Sequence, residues 1–266
     1  MNTAIPRILS IAGSDSCGGA GIQADIKTAT ALGAYAMTAI TAVTAQDTTG
    51  VRVVQLMSAE LVRAQIIACL SDIGADAIKI GMLGSAAIAL AVFDALHEQA
   101  RGIPIVLDPI LESTSGTQLL DEAGIQILRE QLIPLAVLVT PNIPEAEALT
   151  GLSCTKPLDI LRACEALLAM GAKGVLAKGG HQEGDLLADT LMTERATVVF
   201  ERPRIDSSST HGTGCTYATA IAVELANGLA LEEAVRRAQA YVHGAIAAAP
   251  DFGSGHGPLN HMHSLR

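Results

Sequence analysis

The sequence predicts an α/β protein with a mainly parallel sheet covered by helices on both faces. Three observations point there. Short, nearly continuous apolar runs alternate with helix-length segments from end to end, the pattern of strands buried on both sides. Half of the 266 residues are hydrophobic, yet only three Phe, three Tyr and no Trp occur, so the core is aliphatic. Polar residues gather just after the apolar runs, at the strand ends where such sheets bind ligands.

The elements follow in order. Residues 7–13 read as a strand and 19–32 as a helix. Residues 39–45 and 51–57 read as strands, the second bounded by Gly50. A helix over 59–71 places Leu61, Ala64, Ile67 and Ala68 on one face. A strand at 77–81 precedes a helix at 85–99, and a strand at 104–108 ends in Asp108. Another at 136–140 is stopped by Pro141. Then come a helix at 157–170 and a strand at 174–178, with further apolar stretches at 186–192 and 197–200. Two long helices, 214–227 and 231–247, close the chain. No linker, repeat or low-complexity segment divides it, so residues 1–266 read as one domain.

Bulk properties exclude some functions. The formal charge is −10 with no basic run, which argues against nucleic-acid binding. No apolar run reaches membrane-spanning length and no signal-peptide pattern is seen. The five cysteines include no C-x-x-C pair, and the expectation is a reduced, cytoplasmic protein. Cys17, Cys69, Cys154 and Cys164 read as small packing residues. His181, His256, His261 and His263 match no zinc spacing.

The chemistry concentrates in Thr210-His211-Gly212-Thr213-Gly214-Cys215-Thr216. A glycine-rich turn feeding a helix presents free N–H groups to one point, an anion cradle, and the Cys215 thiol falls inside it. Its bland reading is a tight turn before a helix. His211 either touches an anion or caps the turn. Other strand ends carry Ser14-Asp15, Gln46-Asp47, Met82, Asp108, Asn142 with Glu145, and Lys178-Gly179-Gly180. An anion cradle, a lysine and two carboxylates suit phosphoryl transfer, which needs positioning and charge neutralisation. Lys178 suits nucleotide phosphates, and Asp108 and Glu145 suit Mg²⁺. As bland readings, Lys178 is a surface residue, Asp108 and Glu145 are helix caps, and Met82 is core. No Walker motif is present. The run Gly19-x-Gly21-x-x-Ala24 mimics a dinucleotide fingerprint and keeps a nicotinamide-dependent oxidoreductase open, although Asp47 is a poor ribose partner. The scarcity of aromatics predicts an aliphatic, Met-lined ring pocket, with Met82 and Ile110 as candidates.

These motifs carry a resemblance over nearly the whole chain. Ile11 to Ser16, Gly18 to Asp25, Thr44-Ala45-Gln46, Lys79 to Leu83 and Leu107-Asp108-Pro109 belong to it. So do Thr140-Pro141-Asn142 with Glu145, Lys178 to His181, Thr210 to Thr216 and Gly255 to His261. The chain resembles the hydroxymethylpyrimidine/phosphomethylpyrimidine kinases of thiamine biosynthesis, in the ribokinase-like superfamily. The resemblance implies a ribokinase-like three-layer α/β/α fold, ATP and Mg²⁺. It implies two successive phosphorylations of an aminopyrimidine alcohol, and homodimers. It also implies that Cys215 is catalytic and that Gly212, Thr213, Gly214 and Cys215 form an anion hole. Gln46 would hydrogen-bond the pyrimidine, with Gly13, Asp25 and Met82 nearby. Asn142, Glu145 and Lys178 would serve the nucleotide and metal, with Asp108 close to the metal. A pyridoxal kinase of the same fold is the alternative.

Three positions depart from the family pattern: Thr114 stands for a common lysine, Ser209 for an asparagine, and Cys17 for a glycine or serine. Sugar kinases of this superfamily place an aspartate where Cys215 stands. The helix N-terminus is expected to favour the Cys215 thiolate.

Overall fold

The computed structural model describes residues 4–113, 116–179 and 184–265. Strand β1 (Arg7–Asp15) lies near the middle of one nine-stranded sheet. It pairs in parallel with β2 (Tyr35–Asp47) on one side and β4 (Ala77–Ile80) on the other. The parallel run continues through β5 (Ile105–Leu107), β6 (Leu138–Val139) and β7 (Gly174–Ala177). Strand β3 (Gly50–Leu56) extends one edge, while β8 (Leu186–Thr193) and β9 (Thr197–Pro203) extend the other. These three pair antiparallel. Their connections explain the change from the parallel pattern. Only Thr48-Thr49 joins β2 to β3, and only residues 194–196 join β8 to β9, whereas a parallel crossover needs a dozen or more residues.

Alternation along each central strand feeds two cores. Leu9, Ile11, Ile78, Ile80, Leu107, Val139 and Val175 face one layer. It contains α2 (Ala59–Asp72), α3 (Ala86–Gln99), α4 (Glu122–Ile127), α5 (Ile143–Thr150) and α6 (Pro157–Ala169). Ile8, Ala77, Val106, Leu138 and Leu176 face the other, formed by α1 (Gly21–Ala31), α7 (Thr213–Ala226) and α8 (Leu231–Ala247). The three-layer, mainly parallel architecture agrees with the expected ribokinase-like α/β/α fold.

Two short helices escape the sequence reading. Helix α4 is prolonged by a π turn and a 3-10 turn through Leu135, so its apolar spacing follows no single period. Helix α5 opens on a capping box: the Asn142 side chain accepts the Glu145 N–H, and the Glu145 carboxylate accepts the Asn142 N–H, both at 2.8 Å. Asn-x-x-Glu was the available signal. No helix among the described residues is long and apolar enough to cross a membrane.

Candidate active site

The polar strand ends open into a cavity of about 670 Å³. At one end, Gly212 is the residue before α7 and adopts φ +81°. A Cβ there would lie 1.9 Å from the Gly19 carbonyl oxygen, so only glycine permits the approach. No side chain caps α7, leaving its first-turn N–H groups available to an anion. Thr213 contributes less than expected. Its N–H and its hydroxyl both donate to the Thr210 carbonyl, at 3.2 and 2.7 Å. The cradle therefore depends on Gly214 and Cys215.

Lys178 and Asp108 approach this same helix start. A Cβ on Gly214 would lie 3.2 Å from Lys178 Nζ and 3.4 Å from Asp108 Oδ2. Lys178 donates to Asp108 at 2.8 Å and stands 3.9 Å from Glu145. Thr140 also donates to Asp108, at 2.9 Å. Burial would raise the Asp108 pKa, but the ammonium groups of Lys178 and Lys79 carry it below the usual carboxylate range. Burial and the Asp108 charge outweigh Lys178 at Glu145, whose carboxyl is pushed up to about 7. Glu145 is thus both a helix-capping residue and part of the charged cluster, the two readings the sequence set against each other.

Cys215 is buried, and burial pushes its thiol up to about 11. Lys79 acts in the opposite direction but more weakly. This corrects the expectation that the helix N-terminus favours the thiolate: desolvation wins, because a buried thiolate loses the water that would stabilise it.

The other end of the cavity suits a flat polar ring. Gln46 points an amide nitrogen at His211 Nε2, 3.2 Å away, and Thr44 donates to the Gln46 side-chain amide oxygen at 3.3 Å. His211 in turn contacts Asp15 at 2.9 Å. Burial alone would raise the Asp15 pKa, but His211 and the N–H groups of Ala20 and Cys17 lower it. Gly13 lies against Met82, where an added Cβ would be 2.8 Å from the sulfur. Met82 and Ile110 share an apolar cluster with Ala42 and Leu119. Among the described residues no Phe or Tyr lines the cavity, as the composition led us to expect.

Asp25 requires a correction. It is absent from the cavity wall and 1% exposed. Its carboxylate accepts from Lys79, Ser10 and Thr219 beneath the site. It faces inward from α1, away from the cavity lining. Cys17 is also corrected: it is exposed, not packed, whereas Cys154 and Cys164 are buried. Cys69 is partly buried against the aliphatic core. Thr114, Gly180 and His181 lie outside the described residues. Ser209 is fully buried and donates to Asp251 at 3.3 Å.

The early glycine run has a local explanation. A Cβ on Gly21 would meet the Gly13 carbonyl at 2.3 Å, and one on Gly19 would meet the His211 ring at 2.3 Å. Those glycines let the loop close on β1 and on His211. Sequence reasoning missed the far wall, where Leu187, Ile205, His243 and Ile246 come from β8, the segment after β9, and α8. No motif marks them, because only the fold joins these distant segments.

Residues 15–260 match the phosphomethylpyrimidine kinase family. The chain belongs to this family. It is 46% identical, over 96% of each chain, to the hydroxymethylpyrimidine/phosphomethylpyrimidine kinase of Rhizobium meliloti. A phosphomethylpyrimidine kinase structure from Clostridium difficile superposes with a TM-score of 0.81 at 41% identity, covering 91% of this chain and 99% of that one. The ADP complex of Bacillus subtilis pyridoxal kinase superposes with a TM-score of 0.91 at 34% identity, covering 98% and 99%. Membership fixes the reaction class: the chain is a phosphotransferase that uses ATP. The family assignment also removes the nicotinamide reading of the glycine run.

Proposed function

We infer that the chain phosphorylates hydroxymethylpyrimidine to its monophosphate and then to its diphosphate, with ATP, in thiamine diphosphate biosynthesis. One observation carries the geometry: Lys178 and Asp108 meet at the uncapped start of α7, beside Cys215. The first-turn N–H groups hold the transferring phosphoryl oxygens, and Lys178 adds positive charge. Gln46, Met82, Gly13 and Ile110 hold the pyrimidine, and Asn142 with the Leu187–Ile205 wall faces the nucleotide. The nine-stranded sheet supports reading residues 1–266 as one kinase unit.

Mg²⁺ suits this donor set. Two carboxylates stand together, and a Glu145 carboxyl held near 7 is one that a bound cation would ionise. Asp108 and Glu145 would hold the ion, which would neutralise charge on the nucleotide phosphates. Lys178 adds positive charge beside the same carboxylates, and the N–H cradle orients the oxygens.

Cys215 takes two roles. For the alcohol the base is the minor thiolate form, which takes the alcohol proton late because a loose transition state demands little early deprotonation. Lys79 and the helix start favour that thiolate before it takes the proton. For the monophosphate the attacking oxygen is already ionised and no base is needed. A carboxylate at this position would repel it by about 4 kcal/mol at ~4 Å and an effective dielectric near 20. A neutral thiol avoids that cost.

ATP consumption with hydroxymethylpyrimidine, with pyridoxal and with neither tests the reading. Mono- and diphosphate should accumulate in sequence with the pyrimidine. The pyridoxal kinase superposition favours a second reading, turnover of pyridoxal, which the same assay reports. A homodimer is proposed as well. Val43 and Val53 are exposed on one face of the β2–β3 ribbon, an apolar surface suited to a second copy, and sedimentation gives the mass.

A further inference from the structure

The ring end of the cavity holds a trio that phosphoryl transfer leaves unused. Asp15, Cys17 and His211 each offer one donor atom, and the three atoms lie within 4.8 Å of one another. His211 Nε2 is 2.9 Å from Asp15 Oδ2, and Cys17 Sγ is 3.3 Å from the same oxygen. Asp15 and His211 are buried in the cavity wall, while Cys17 is exposed. The fold fixes two of the donors. N–H groups of Cys17, Gly19 and Ala20 hold the Asp15 carboxylate, and the His211 ring packs against Gly19.

We propose that Asp15, Cys17 and His211 form a zinc site at the mouth of the substrate cavity, and that its occupation excludes the pyrimidine. A mixed nitrogen, sulfur and oxygen set selects a borderline-soft ion over Mg²⁺. Bonds of ~2.0–2.3 Å give tetrahedral edges of about 3.3–3.8 Å. The Cys17–Asp15 separation of 3.3 Å meets the lower edge of that range, and the His211–Asp15 separation of 2.9 Å is below it, so the imidazole and the carboxylate must part by a few tenths of an ångström. Exclusion follows because His211 also faces Gln46, the residue assigned to the ring.

Binding displaces protons in a defined way. The Cys17 thiol gives up its proton to solvent as the Zn–S bond forms. Neutral His211 presents the Nε2 lone pair and carries its remaining proton on Nδ1. Because the thiol must lose its proton to bind the ion, zinc binds more tightly as pH rises.

The test is zinc binding to the whole protein in competition with a chromophoric chelator, with excess Mg²⁺ and no nucleotide or pyrimidine. Wild type, Cys17→Ser, His211→Asn and Cys215→Ser are compared. The expected result is one equivalent in wild type and in Cys215→Ser. Cys17→Ser should bind at least about 100-fold more weakly, since losing even an outer partner costs ~10–100-fold. Co²⁺ should give a thiolate charge-transfer band that Cys17→Ser lacks. Absence of binding, retention in Cys17→Ser, or loss in Cys215→Ser instead overturns the site. The exclusion arm is kinetic: zinc should raise the KM for the pyrimidine in wild type and not in Cys17→Ser, each against its own zinc-free rate. Zinc bound without a KM change overturns exclusion. The binding arm uses no substrate, so it stands apart from the substrate assignment, on which the exclusion arm rests.

Discussion

The Lys79 ammonium lies 2.9 Å from Asp25 Oδ2, and neither side chain reaches solvent. Asp25 also accepts from Thr219, one turn beyond Cys215 on α7. The pair therefore ties β4 to α1 and α7 beneath the cradle. Lys79 keeps its proton despite burial, because the Asp25 carboxylate beside it and Asp108 nearby surround it with negative potential.

Breaking one partner of such a pair leaves an unpaired buried charge and costs about 3–5 kcal/mol. Asp25→Asn should lower stability by that order in urea unfolding, with the pyrimidine KM near wild type. The double variant Asp25→Asn with Lys79→Met should recover part of the loss. A raised KM with unchanged stability would return Asp25 to the substrate.

Cys215→Asp should separate the two phosphorylations. The alcohol retains activity with a carboxylate base, while the monophosphate meets a fixed like charge. Initial rates with each substrate measure this, and equal survival of both reactions sinks the neutral-thiol idea. In wild type, the alcohol reaction should accelerate as pH rises toward 9, because the thiol near 11 ionises more. The monophosphate reaction should show no matching rise.

Lys178→Met removes the cation that meets Asp108 at 2.8 Å beside the helix start. Losing one such charge-stabilising donor costs roughly 10²–10³ in kcat. Steady-state kinetics should show that drop with a far smaller change in the pyrimidine KM. An unaltered kcat would make Lys178 structural.

Gly212→Ala forces a Cβ against the Gly19 carbonyl in a left-handed conformation. The loops must separate, shifting both the cradle and His211. Both phosphorylations should fall by an order of magnitude or more, at ~1–3 kcal/mol of backbone strain. Full activity would show that the two loops need not touch.

His261 sets an acid limit. Burial, reinforced by Lys27 and His263, lowers its pKa to about 4, and its Nε2 lies 3.0 Å from the Thr216 hydroxyl. The unfolded chain takes up the proton near 6.5, the folded one only near 4. Stability is therefore fully present above about 6.5 and falls as pH drops to about 4, by about 3 kcal/mol in total. His261→Gln should flatten this part of the unfolding-midpoint profile. An unchanged slope would assign the loss to other groups.

The sequence by itself determined the layered fold and the strand-end placement of the site. Apolar runs of strand length, separated by helices, bury two faces only in a sheet covered on both sides. Gly212, Asp108 and Lys178 were readable because each stands at a punctuation point: a tight turn or the end of an apolar run. The resemblance added Gln46 and the direction of the chemistry. Tertiary structure decided the rest, because it depended on distances between segments far apart in the chain. Asp25 moved from the substrate to a buried pair once α1 packed on β1 beside α7, within reach of Lys79. Cys215 lost its expected thiolate character because burial, invisible in a local motif, outweighs Lys79. Cys17 and His211 are 194 positions apart in sequence, and only closure of the Gly19 loop on the Gly212 turn brings a thiol, an imidazole and the Asp15 carboxylate within 4.8 Å.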